Sequence, residues 1–159
     1  MERVSIYEAA GGELAFLALA AAHHTRCLAD PVLEHPFSHG VNPDHVQRLA
    51  SYWAEVLGGP STYSASYGDH SAVMRMHAGN EMEPGLGERF AACFVAAADD
   101  AGLPDEPELR AALRAYMEWA TSAMYVYNER DAVVPPRMAM PRWGWGGLEP
   151  AGVAEGREG

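Results

Sequence analysis

Apolar positions recur along this chain at helical spacing and are interrupted by glycine and proline. After a short apolar lead, Ile6 to Ala10, the pair Gly11-Gly12 breaks the pattern. Leu14, Leu17, Ala21, His24 and Leu28 then follow at steps of three and four, the stripe of an amphipathic helix over about Glu13 to Ala29 that Asp30-Pro31 ends. An irregular stretch with Pro36, Gly40 and Pro43 leads to a second helix. Asn42 suits its cap, Pro43 its first position and Asp44 the positive end of its dipole. Its inner face is expected to carry His45, Leu49 and Trp53, with Val46 and Val56 alongside, and Gly58-Gly59-Pro60 stops it. Ser61 to Gly68 reads as loop, Asp69 to His77 as a short helix, and Ala78 to Gly87 as loop again. A helix over about Glu88 to Ala101 presents Phe90, Phe94, Ala97 and Ala101. The last, over about Asp105 to Asn128, buries Leu109, Leu113, Tyr116, Met117, Ala120 and Met124.

No segment has the alternation of a strand, so the fold class is all-α, an irregular helical packing around a pocket. Residues 1–130 are expected to form the domain. Prolines and the run Trp143-Gly144-Trp145-Gly146-Gly147 mark 131–159 as a C-terminal extension, extended or disordered and outside the core.

Charge narrows the function. The 159 residues carry 22 acidic and 11 basic side chains, a formal charge of −11, and every basic residue is Arg. That balance argues against nucleic acid and against a polybasic membrane anchor. The apolar run Leu14 to Ala22 is too short to span a bilayer and has acidic flanks. A cytoplasmic location with Cys27 and Cys93 reduced is therefore expected, and two cysteines are too few for a disulfide framework.

The residues with chemistry to offer are histidines. His24 lies on the first helical stripe, His45 one turn before Leu49, and His77 at the end of Met74-Arg75-Met76-His77. Taken singly, each reads as a hydrogen-bonded core or boundary residue. Three converging on one apolar site would instead make a metal or haem site, since neutral imidazole is the commonest such ligand. His35 and His39 are four apart, but Pro36 and Gly40 break the helix that would align them. His23 and His70 receive no role. The chain contains no HExxH, Walker or GxGxxG motif, and no GxSxG in a suitable context.

Four words in register carry a resemblance: Tyr7-Glu8-Ala9-Ala10-Gly11-Gly12, Ala29-Asp30-Pro31-Val32-Leu33, Gly59-Pro60-Ser61-Thr62-Tyr63-Ser64 and Met74-Arg75-Met76-His77-Ala78. In these words and their separations, Ile6 to Asn128 resembles a group II truncated haemoglobin. The resemblance implies a truncated globin fold, a 2-over-2 helical sandwich around haem b. It implies that His77 is the proximal iron ligand. It further implies that His24, Phe37, His45, Leu49 and Phe90 form the distal wall, with Tyr63 and Arg75 at the haem propionates.

The chain departs from the family pattern at four places. His24 stands where Tyr is usual, Phe90 where Trp is common, His45 where a small residue is frequent, and Met76 where Arg is usual. Imidazoles thus replace the customary hydrogen-bond donors. An imidazole can donate to a polar diatomic ligand, occupy the sixth coordination position itself, or shuttle protons near neutral pH. The expected function is binding of dioxygen or another diatomic ligand, with oxygen transport as one outcome. The alternative is a haem oxidoreductase, peroxidase-like or nitric-oxide-consuming, using His45 and His24 as distal catalytic groups. A reductase and a homodimer are the further partners such a reading entails.

Overall fold

The computed structural model describes residues 3–31, 44–77 and 85–149, except the side chains of 76 and 77. Seven helices occur among them: α1 (Ile6–Ala10), α2 (Glu13–Ala29), α3 (His45–Val56), α4 (Thr62–Ser66), α5 (His70–His77), α6 (Leu86–Asp100) and α7 (Pro107–Tyr125). None is long and apolar enough to cross a membrane. Helix α2 packs on both α3 and α6, and α6 packs on α7.

Local chemistry explains the boundaries. The Ser5 hydroxyl accepts the amide of Glu8 and caps α1. Gly11 and Gly12, at φ 121° and 80°, turn the chain into α2 through angles that side chains disfavour. Asp69 caps α5 by accepting the amide of Ala72 at 3.0 Å. Pro107 occupies the first turn of α7, where its missing N–H costs nothing. Asn42 and Pro43, the expected start of α3, lie outside the described residues.

The core is continuous through these helices. Phe16, Leu19, Val56, Leu57, Phe94, Leu109, Leu113, Tyr116 and Met117 are essentially inaccessible.

Several expectations need correction. The buried face of α2 is Phe16, Leu19, Ala20, His23 and Cys27, whereas Leu14 is 80% and Leu28 44% exposed. The predicted stripe was one residue out of phase. On α6 the fully buried residues are Ala91, Phe94, Ala97 and Ala98, with Phe90 and Ala101 half-buried. On α3 the buried face is centred on Trp53 and Val56, leaving His45, Val46 and Leu49 half-buried. Within the expected loop Ser61 to Gly68, residues Thr62–Ser66 form α4, because Tyr63 turns into the core and the Glu55 carboxylate accepts both the amide and the hydroxyl of Ser64.

A two-stranded hairpin also exists. Strand β1 (Trp143–Gly144) pairs antiparallel with β2 (Gly147–Leu148) in the register Trp143↔Leu148, Gly144↔Gly147. Strands of two residues carry no alternation to read. The segment from 131 to 149 is largely extended, yet it docks: Val134, Met138, Met140, Trp143 and Trp145 pack on the core.

Candidate functional site

Helices α2, α3 and α6 bring three imidazoles together. His24 leaves α2 half-buried and His45 begins α3; their ring centroids stand 5.0 Å apart. His23, the neighbour of His24, is buried in the core at 1% exposure. Its Nε2 donates to the Phe90 carbonyl at 3.3 Å, because a carbonyl can only accept. That bond fixes the tautomer and leaves Nδ1 as acceptor, 3.7 Å from the Cys27 sulfur. The edges of Phe90, Trp53 and Phe94 enclose the ring at centroid distances of 4.4, 5.4 and 5.9 Å.

Burial, reinforced by the nearby His24 and His45, lowers the pKa of His23 from 6.5 to about 4, against the raising effect of its bond to Phe90. The ring is neutral at physiological pH. Burial likewise pushes the Cys27 thiol up to about 12 and raises Cys93, so neither is a ready thiolate.

Leu49 follows His45 by one turn of α3 and, with Val46 and Phe90, packs half-buried against the core. Tyr63 of α4 is buried, with its ring 5.3 Å from Tyr52 and 5.6 Å from Tyr67. Arg75 of α5 is exposed. His77 is the last residue of α5; its side chain, and Phe37 altogether, lie outside the described residues. The structure thus pairs His24 with His45, with Leu49 one turn along α3 from His45 and Phe90 against His23. Tyr63 sits apart from them in a tyrosine cluster.

Two residues without a sequence-derived role prove structurally central. His23 belongs to the stripe Phe16, Ala20, His23, Cys27, whose steps of four, three and four were readable had the aromatic been taken as the anchor. His70 is buried at the start of α5, and its Nδ1 is hydrogen-bonded to the Tyr52 hydroxyl at 2.8 Å. Burial lowers the pKa of His70 and raises that of Tyr52, which keeps the phenol protonated.

A largely helical fold that holds an imidazole pair beside half-buried apolar side chains is consistent with a globin-like protein. Comparison of the sequence with known families agrees: residues 5–125 match the family described as bacterial-like globin, and the chain belongs to that family. Similar solved structures include the haemoglobin of Chloroflexus aurantiacus, 30% identical with a TM-score of 0.65 over 77% of this chain and 98% of that one. The haemoglobin of Thermobifida fusca is 30% identical with a TM-score of 0.64 over 83% and 99%. The group II 2-on-2 haemoglobin of Agrobacterium tumefaciens is 25% identical with a TM-score of 0.65 over 78% and 95%. Comparison with curated proteins returned no match.

The fold is that of a truncated globin, and the chain is a haem-binding globin. The donor chemistry fits that group. Neutral imidazole is an iron ligand, and the described residues bring two of them, His24 and His45, together. Among the described residues no three His, Cys, Asp or Glu side chains converge on a bare metal ion.

Proposed function

We propose that this protein holds haem b through His77 and binds dioxygen or another diatomic ligand on the side lined by His24, His45, Leu49 and Phe90. The observation that carries the reading is the pair of imidazoles, His24 and His45, 5.0 Å apart at the edge of the core. When bound, haem iron supplies the coordination position at which a diatomic ligand is taken up. The protein's own residues determine what happens around that position. His24 and His45 supply N–H donors for a polar ligand, a charge-assisted contact worth about 1.5–3 kcal/mol. Leu49 and Phe90 exclude water, and His23 holds the Phe90 backbone through its carbonyl. Arg75, exposed on α5, is available to a haem propionate, and its fork geometry suits a carboxylate. Tyr63 stabilises the neighbouring tyrosine cluster and is the weaker propionate partner because its ring is buried.

Absorption spectra of the ferric, ferrous and CO-bound protein test this directly. The expected outcome is a Soret band that collapses to free haemin in His77→Ala, with CO and dioxygen binding in the ferrous wild type. A protein that takes up no haemin, or a His77→Ala variant with unchanged spectra, would refute it.

A second reading, peroxidase-like or nitric-oxide-consuming turnover, is supported by the same pair. One imidazole can accept a proton from peroxide while the other donates one, the general acid–base role that a single Tyr fills poorly. Under this reading His45→Ala and His24→Ala lose peroxidase rate by about 100-fold or more. Equal rates in wild type and both variants leave ligand binding as the function.

A further inference from the structure

Residues 131–149 lie beyond the segment matched to the family, which ends at 125, and they hold the start of α5. The Ser71 hydroxyl, wholly buried, donates to the Pro135 carbonyl and accepts the Met138 amide at 2.8 Å. The amide of His70 donates to the Met138 carbonyl at 3.3 Å. These bonds matter because the first amides of a helix have no acceptor within it. Asp69 serves Ala72, and the 135–138 segment serves His70. An eight-residue helix is marginal alone, so α5 depends on the contacts that bury His70, Ser71, Val73 and Met74.

The segment is itself anchored on rigid parts of the molecule. Trp143 lies 5.9 Å from Tyr116 and 5.4 Å from Trp119, both on α7. Arg142 donates to the Glu55 carbonyl of α3 at 3.2 Å, and the Trp145 indole donates to the Val4 carbonyl at 2.9 Å. Arg137, at φ 57°, makes the reversal that brings Met138 back onto Ser71. His70 closes the circuit, since its ring meets Tyr52 of α3, the helix that begins with His45.

We propose that the 131–149 segment is a strap that positions α5, with Ser71 as its buckle, and so sets where His77 stands. The inference rests on the reading of His77 as the iron ligand. Ser71 is a positioning residue: it reaches the haem site only through the helix it holds.

Hydrogen exchange on the full chain, haem-free and haemin-loaded, tests this with Ser71→Ala and, separately, Trp143→Ala, which loosens the strap at its distant anchor. The amides of residues 74–77 are expected to exchange about tenfold faster in both variants, matching the loss of one or two net hydrogen bonds. The amides of Phe94 and Ala97 in α6 should keep wild-type protection. In the ferrous, ligand-free protein the iron–histidine stretching band should shift or broaden in both. Unchanged exchange over 74–77 in both variants, or an equal loss in α6, overturns the strap. If His77→Ala leaves the haem spectra unchanged, the ligand reading fails, while exchange in the haem-free protein still decides the strap.

Discussion

A neutral imidazole in a core is an energetic commitment. His23 is held uncharged by the apolar rings around it, with a pKa lowered from 6.5 to about 4. The unfolded chain therefore binds a proton below pH 6.5 that the folded chain refuses until about pH 4. Stability is undiminished above the unfolded value and falls as pH drops through that window, by about 3 kcal/mol in total for a shift of this size. His70, also lowered by burial, acts in the same direction. Urea unfolding at about pH 7 and about pH 4.5 should show this loss, and His23→Leu should flatten it. An acid slope as steep in His23→Leu as in wild type would assign the effect elsewhere.

At the scale of elements, the join between α1 and the end of α3 is close-packed. Tyr7 donates its amide to the Leu57 carbonyl at 3.0 Å, and Gly59 donates to the Ala54 carbonyl at 2.7 Å. A Cβ at Gly59 would stand 2.7 Å from the Tyr7 ring and 2.8 Å from the Ala54 oxygen, and the latter, being helix backbone, cannot yield. Gly59→Ala should cost about 2 kcal/mol by overpacking, measured as a lowered denaturation midpoint. A cost below about 0.5 kcal/mol would mean that α1 shifts freely. The glycines that terminate helices were legible from sequence because their role is local, and so were the existence of α3, α6 and α7 and most of the buried face of α7, whereas the faces of α3 and α6 were legible only in part. The face of α2 was not. Alanine and leucine surround most of that helix, so the stripes through His24 and His23 have equal periodicity and only Phe16, as an aromatic anchor, separates them. The hairpin was hidden for a similar reason: its stability comes from Trp143 lying on Trp119 and Tyr116, a contact between distant residues. The pairing of His24 with His45 is likewise tertiary, and spacing alone could only nominate its members.

For the molecule as a whole, charge is a cost. A formal −11 repels itself most in the compact state, and salt screens that repulsion. Opposing this are ion pairs that staple α2 and the residue after it to the ends of α6, Arg26 with Asp100 and Arg89 with Asp30. Both involve exposed arginines, and such pairs are worth about 0–1 kcal/mol each. Repulsion should win, so the melting temperature should rise between about 10 mM and about 300 mM NaCl, a range over which the screening length shrinks from about 30 Å to about 6 Å. A fall would show that the staples dominate. The bond from the Trp145 indole to the Val4 carbonyl has a kinetic meaning as well. It joins residues 141 apart, so it closes a loop over nearly the whole chain. Closing so long a loop is unrewarded until the helices between have already collapsed. During synthesis every described helix is made before this clasp can close.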